Sequence, residues 1–306
     1  MAPKYRFGKR VPRHDARTLR FARYSAKLAA PPASVSWQSK VPSYPMDGND
    51  TVGDCTIAAA AHHVETWTYN ESPPAPVNFT TQDCLSDYYA LTGGPDTGLD
   101  LLTVLNQWQT KGLNRAGGNP DVIKAFVQLK TGDMGEAQQA IALFGGAYIG
   151  LALPDFIVNS PAPTQMVWDV PSGGAVGPNA PNSNNGHCVP LIGYDANYIY
   201  FVTWGAVVQM TWAFYAAYSD EGYVALSQDW LGSGTAPSGF DLTQLEADLV
   251  AINAVPPVPI PPQPVPWQND IQILREDLQQ LEQGFLTLAA IFKKYLGREV
   301  KHVEPK

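Results

Sequence analysis

This chain contains a cysteine and a histidine that lie far apart in sequence and could act together as nucleophile and base. Cys55 follows a polar, glycine-containing turn and begins an alanine-rich stretch that we predict to be a helix. A helix N-terminus carries partial positive charge and unpaired N–H groups, so a thiol there is expected to favour the thiolate, its nucleophilic form. His187 opens a predicted strand after a long polar loop, which suits a general base facing a cleft. The pair predicts a cysteine hydrolase site.

The other four histidines are poorer partners for Cys55. His62 and His63 stand seven and eight residues further along the same predicted helix, about 10 Å along its axis. That separation is too long for direct proton transfer, so we expect both to pack or to face solvent. His14 and His302 lie in the terminal segments.

The chain around these residues resembles the papain-like cysteine peptidases. In that family the cysteine lies at a helix start, and the histidine follows about 130–150 residues later; here the separation from 55 to 187 is 132 residues. The segment 186–195, Gly-His-Cys-Val-Pro-Leu-Ile-Gly-Tyr-Asp, resembles the family's histidine strand, and 202–205, Val-Thr-Trp-Gly, resembles its Asn-Ser-Trp-Gly. The resemblance covers roughly residues 35–230, over which it implies a papain-like fold.

The resemblance also implies roles. Cys55 would be the nucleophile, and His187 would be base and then acid. The family's third residue, Asn or Asp, falls here on Val202 or Thr203, depending on how the Trp-Gly pair is aligned. Of these two, only the threonine hydroxyl can orient an imidazole, and it does so weakly. Asn49 stands six residues before the cysteine, where the family has glutamine, and its amide could hold an oxyanion together with the cysteine N–H.

Further residues are expected near the site or in the core. Trp204 would shield the histidine from water, as the family tryptophan does; a core tryptophan is the alternative. Asp54 is expected to be the N-cap of the helix. Of the other two cysteines, Cys84 is expected in the core, and Cys188 should point away from His187 if the strand is regular. The alternative for Cys55 is an inert buried thiol.

The sequence gives little support to other chemistries or compartments. It has no Cys-x-x-Cys, no His-Glu-x-x-His and no phosphate loop, so we expect neither a metal site nor a cofactor. Three cysteines argue against a disulfide framework and for a reducing compartment. We expect no membrane span and no secretory signal. The expected location is the cytoplasm or a virion.

The order of predicted elements indicates an α+β domain. Helical patterns dominate the first half of the body, and strand-like runs follow, which is typical of helices packed beside an antiparallel sheet rather than of βαβ units. We divide the sequence into an extended basic arm at 1–34, a papain-like domain at 35–254, a proline-rich linker at 255–268, a coiled-coil helix at 269–297 and a tail at 298–306.

The terminal segments differ from the body in composition. Residues 1–30 carry nine Lys/Arg and one acid, although the whole chain has a net charge of −8. Such an arm is expected to bind nucleic acid or an acidic partner, or to wrap its own acidic body. Residues 255–266 contain seven prolines, the composition of a semi-rigid spacer. Apolar residues then recur with heptad spacing over 271–296, which favours a helix that joins subunits over one that docks back on the domain.

Two hypotheses about function follow. The first is a papain-like hydrolase that cleaves a peptide or amide bond in a peptide or protein. The second is a catalytically weak or inactive papain-like body that acts as a structural part of an oligomeric particle such as a phage virion. In the second, function would lie in the basic arm, the proline-rich linker and the coiled coil. The element Asn-Asp-x-x-Gly-Asp-Cys at 49–55 resembles a set of little-characterised bacterial and phage proteins.

Overall fold

The computed structural model of the chain describes residues 5–115, 117–228, 230–231 and 239–254. The predicted linker, coiled-coil helix and tail lie outside these residues. The α-helices are α1 (Ala22–Ser25), α2 (Cys55–Asn70), α3 (Thr81–Thr92), α4 (Leu101–Thr110), α5 (Met134–Phe144), α6 (Asp155–Val158), α7 (Trp212–Tyr218) and α8 (Leu242–Ala254). The strands are β1 (Val35–Ser36), β2 (Ile123–Gln128), β3 (Ala147–Ala152), β4 (Gly186–Tyr194), β5 (Tyr198–Thr203), β6 (Ala206–Thr211) and β7 (Ser219–Ser227).

The strands form one antiparallel sheet. Its order is β2-β7-β3-β4-β5-β6, and β1 pairs with β4 beside this path. Buried side chains on the two faces of the sheet form separate core clusters, one containing α5 and α7 residues and the other containing α2 and α4 residues. This arrangement of helices and antiparallel sheet confirms the predicted α+β class.

Helix α2 is the central helix of the fold. Its first fourteen residues are all buried, and its alanines both favour helix and let the backbone approach the sheet closely. The helix packs on β4, and Tyr148 of β3 donates its hydroxyl proton to the Thr56 carbonyl at 2.7 Å. Cys55, the first residue of α2, is therefore held beside the start of β4.

The β4–β5 hairpin brings the predicted histidine and threonine together. Leu191 lies opposite Phe201 in the antiparallel register, so the first residues of β4 lie beside the last residues of β5. Asp195 closes the turn, because its carboxylate accepts hydrogen bonds from two backbone N–H groups at 2.8 Å each. The hairpin thus brings His187 and Thr203 to the same end of the sheet.

Residues before the first strand also pack against the body. Phe21 and Tyr24, on either side of the start of α1, are buried in the core cluster that contains α5 and α7. The Tyr24 hydroxyl donates to Asp248 of α8 at 2.7 Å, and Arg23 forms an ion pair with the same carboxylate. Among the described residues no helix is both long and apolar enough to cross a bilayer.

Helix α3 begins with a capping box that can be tested directly. Thr80 accepts a hydrogen bond from the Asp83 backbone, and the Asp83 carboxylate accepts one from the Thr80 backbone at 2.8 Å. We expect Thr80→Ala to lower the free energy of unfolding by about 1 kcal/mol, measured by urea denaturation. Thr81→Ala, one residue further on, is the matched control. An equal loss in both variants would contradict the cap.

Candidate active site

Cys55 lies at the start of α2, as the sequence predicts, but the cap is not as predicted. Asp54 occupies the N-cap position, yet its side chain makes no capping hydrogen bond. Its carboxyl group is buried, and burial raises its pKa to about 8. Asp54 therefore lies under the cysteine turn as a buried acid, and the predicted side-chain cap is wrong.

His187 and Thr203 are in direct contact. The distance from His187 Nε2 to Thr203 Oγ1 is 2.7 Å, and both side chains are buried. Val202, the other candidate for this position, packs in a small cluster with Val41 and Tyr44. The structure thus selects Thr203 as the residue that faces the imidazole. His187 Nδ1 has no hydrogen-bond partner among the described residues.

Aromatic rings enclose the imidazole. Trp204 stacks on His187 with a centroid distance of 4.5 Å and an interplanar angle of 20°. Phe7 meets the same imidazole edge-on at 5.6 Å. Burial lowers the pKa of His187 to about 3, and the charge of Lys9 acts in the same direction. The imidazole is therefore neutral here, with Nδ1 left as the atom that can exchange a proton.

The predicted site residues line a common cavity. Its walls include Cys55, His187, Thr203, Trp204 and Asn49, together with Met46, Ala58, Ala59, His62, Cys188 and Val202. The cavity measures about 10 Å³, at or below the roughly 10–15 Å³ that one water molecule requires. The site is assembled but closed.

The N-terminal segment closes it. The backbone groups of Gly8 and Cys188 act to lower the pKa of the Cys55 thiol. Burial nonetheless raises the pKa of the Cys55 thiol to about 11, and its side chain is only 2% exposed. The expected helix-stabilised thiolate is therefore wrong for this closed form, because desolvation outweighs the helix N-terminus.

Residues 5–10, which we call the plug, run through the cleft as extended backbone. Their main chain is held by hydrogen bonds from Arg6 N to Asn49 O (3.0 Å), Leu99 N to Gly8 O (2.9 Å), Lys9 N to Gly186 O (3.0 Å) and Arg10 N to Leu99 O (3.0 Å). Trp204 Nε1 donates to the Arg6 carbonyl at 3.2 Å. The plug thus occupies the groove that leads to Cys55.

Glycines make this close approach possible. A Cβ on Gly8 would lie 1.7 Å from the Gly53 carbonyl oxygen, and a Cβ on Gly98 would lie 2.1 Å from the Gly8 oxygen. A Cβ on Gly186 would lie 2.0 Å from the Lys9 oxygen. Sequence reasoning missed the plug; its only signal was a glycine between aromatic and basic residues in a basic segment.

Asn49 lines the cavity, but its side chain is partly engaged. Its Nδ2 donates to the Val52 carbonyl at 3.2 Å. His62 is buried with its Nε2 3.1 Å from Asp47 Oδ2, and His63 stacks on Trp67 at 5.2 Å. Across the described part of the chain, no cluster of three or more His, Cys, Asp or Glu could hold a metal ion.

The buried thiol leads to a pH prediction. With a pKa of about 11, the thiolate fraction of Cys55 should rise about tenfold for each pH unit from 7 to 10, without reaching a plateau. Iodoacetamide labelling of the full chain, followed cysteine by cysteine with mass spectrometry, measures this. A plateau of the Cys55 rate below pH 9 would show that the thiol is already ionised.

No known family profile matches the chain, and no curated protein matches it significantly. Solved structures do resemble it. Xylellain, a cysteine protease from Xylella fastidiosa, superposes with a TM-score of 0.57 at 14% identity, covering 73% of this chain and 97% of xylellain. The cysteine protease and lectin-like domains of Cwp84, a surface layer associated protein of Clostridium difficile, give 0.50 at 12% identity, covering 74% and 56%.

At these identities the likeness concerns the fold. The structural neighbours are papain-like cysteine proteases, and the predicted papain-like fold is confirmed. The resemblance to phage proteins stays a prediction.

Proposed function

We propose that the chain is a papain-like cysteine hydrolase that cleaves a peptide or amide bond. The observation that carries the proposal is that Cys55 and His187 line one cavity, where Nε2 of the histidine is bonded to Thr203 and Nδ1 has no partner within the described part of the chain. Nucleophile, base and orienting group are the three parts that thiol catalysis needs.

The reaction would proceed by acyl transfer. His187 Nδ1 takes the thiol proton, and the Cys55 sulfur attacks the substrate carbonyl carbon. The resulting oxyanion lies by the Cys55 N–H and the Asn49 amide. The protonated imidazole then gives its proton to the leaving amine, which departs and leaves a thioester. Water, deprotonated by the same imidazole, hydrolyses the thioester and restores the thiol.

Thr203 would hold the imidazole for these steps. For Nδ1 to be the base, Nε2 must carry the proton, so the threonine oxygen must act as acceptor in the 2.7 Å contact. A hydroxyl can also donate, so Thr203 fixes the tautomer less firmly than an amide carbonyl would. We therefore expect a slow enzyme rather than an inactive one.

The plug must leave before a substrate can enter. Cys55 is buried beside the turn on which Gly8 packs, and the remaining cavity is too small for any peptide. We propose that this form is latent and that displacement of residues 5–10 opens it. Displacement would also expose the thiol to water and lower its pKa from about 11.

A fluorescent thiol-directed peptide probe tests the proposed activity. On the full chain carrying Gly8→Ala, which we expect to open the cleft, Cys55 should be labelled much faster than Cys84 and Cys188, which are both buried. Cys55→Ala should abolish turnover of a generic peptide substrate, whereas Cys84→Ala should not. If Cys55 reacts no faster than the other two cysteines, the catalytic role is lost.

We also propose that residues 271–296 join subunits, on the strength of their heptad spacing. The chain would then be a module of an oligomer, such as a component of a virion, whether or not it is active. Light scattering of the full chain and of a chain ending at Val255 compares the masses. A monomer in both cases would contradict the coiled coil.

For the basic arm, the described contacts favour its own acidic body as partner. Lys9 pairs with Asp220 and Glu221, and Arg13 Nε lies 3.5 Å from Asp100 Oδ1. Binding to nucleic acid would require these ion pairs to open, and a salt-dependent electrophoretic shift with duplex DNA would detect it.

A further inference from the structure

A buried acidic pocket opens from the cleft next to the nucleophile, and Lys9 of the plug fills it. Lys9 is only 4% exposed. Its Nζ donates to Asp220 Oδ2 at 2.8 Å and to the Arg10 carbonyl at 3.1 Å, and it lies 3.3 Å from Glu221 Oε1. A fully sequestered lysine on a terminal segment requires a site that matches both its charge and its length.

The pocket has room for a long side chain because of one glycine. A Cβ on Gly150 of β3 would lie 2.2 Å from Lys9 Cε. The aliphatic part of the Lys9 side chain therefore occupies the space that a side chain at position 150 would need. Asp220 and Glu221 belong to β7, the neighbour of β3. The charged end of the pocket is therefore built on the rigid sheet.

The pocket places two largely buried carboxyl groups against one ammonium. Asp220 Oδ1 and Glu221 Oε1 accept no hydrogen bond from the described residues, while Tyr223 donates to the other Glu221 oxygen at 3.2 Å. Burial raises the pKa of both carboxyl groups, and Lys9 opposes that effect. Such a pocket disfavours a neutral side chain, because desolvated acids would remain unpaired.

The position of the pocket ties it to the reaction site. Lys9 directly follows Gly8, which packs against Gly53, two residues before Cys55, and Lys9 N donates to the carbonyl of Gly186, the residue before His187. A peptide that replaces the plug in the same groove would meet the pocket within about one residue of the carbonyl under attack.

We propose that Asp220 and Glu221 form a specificity pocket that takes a lysine or arginine side chain of the peptide substrate. This inference rests on the proposed hydrolase function, and it narrows the substrate class to basic peptides. Lys9 is then the internal occupant of a substrate pocket.

Binding of short peptides tests the pocket without requiring turnover. The protein is the full chain with Gly8→Ala, Lys9→Met and Cys55→Ala. The first substitution prevents the plug from packing in the cleft, and the second removes the ammonium group that fills the pocket. The probes are fluorescent Ala/Gly hexapeptides with one lysine moved through each position, each compared with norleucine, its neutral analogue. At one position we expect lysine to bind at least tenfold more tightly, measured by fluorescence anisotropy.

Two isosteric variants assign this preference to the pocket. Adding Glu221→Gln or Asp220→Asn should reduce the lysine-to-norleucine ratio several-fold, whereas Glu246→Gln, at the surface ion pair with Lys124, should leave it unchanged. The two pocket variants check each other if one folds poorly. Equal binding of lysine and norleucine peptides, or a ratio insensitive to both variants, would overturn the proposal.

Hydrolysis is scored separately, with Cys55 restored. If no peptide is cleaved but the lysine preference in binding persists, the hydrolase function fails and the basic-side-chain pocket stands. Cleavage without preference for a basic residue overturns the pocket and leaves the hydrolase intact.

Discussion

Replacing Gly8 with alanine should expose the thiol of Cys55. A Cβ at this position would lie 1.7 Å from the Gly53 carbonyl oxygen and 2.3 Å from its carbon. Both are backbone atoms, so no side-chain rotation relieves the clash and the plug must move away. Release would return the thiol pKa from about 11 toward its ordinary value of 9.0. At neutral pH that shift alone raises the thiolate fraction about 100-fold.

The measurement is the labelling rate of Cys55 in the full-length variant at pH 7. Val11→Ala is the matched control, since Val11 lies one residue beyond the plug and its side chain is 61% exposed. Gly186→Ala, which would meet the Lys9 oxygen at 2.0 Å, should have the same effect from the opposite wall. A folded Gly8→Ala protein that labels at the original rate would show that the plug does not control access.

Thr203→Val should slow the proposed hydrolysis once the plug is displaced. The substitution keeps the shape of the side chain but removes the hydroxyl 2.7 Å from His187 Nε2. Leaving that buried nitrogen unpaired costs about 1–3 kcal/mol, or roughly 5- to 150-fold in rate. The loss should fall on kcat with KM little changed, because the threonine faces the imidazole and not the groove.

Thr203→Ser separates orientation from packing. Serine retains the hydroxyl and should recover most of the rate, although its smaller side chain leaves a small void. The variants are compared in the Gly8→Ala background, with kcat followed against pH. If valine and serine give the same kcat, the hydroxyl does not orient the imidazole and the role assigned to Thr203 is wrong.

The sequence contained enough to place the main site residues. A cysteine begins a predicted helix, and a histidine 132 residues later begins a predicted strand. The fold brings the starts of these two elements together. The choice between Val202 and Thr203 could not be made from sequence, because it depends on which side chain of β5 lies on the same face of the sheet as His187. A one-residue change of register exchanges the two faces of a strand.

The state of the thiol was beyond sequence reasoning for a different reason. Local position predicts a lowered pKa for Cys55, but burial is a tertiary property and here acts in the opposite direction. The acidic pocket was hidden in the same way. In the sequence, Asp220 and Glu221 have no feature that distinguishes them from other charged residues. Their role depends on β7, which places them beside Lys9, more than 200 residues earlier in the chain.

The covalent link between plug and body has a kinetic consequence. The plug is tied to Phe21 and Tyr24, which are fixed in the core, so it competes with substrate at an effective concentration of about millimolar, as short flexible linkers give. A peptide of ordinary affinity would seldom displace it. One backbone cut within residues 11–20 would turn the plug into a free ligand, and dilution would then remove it.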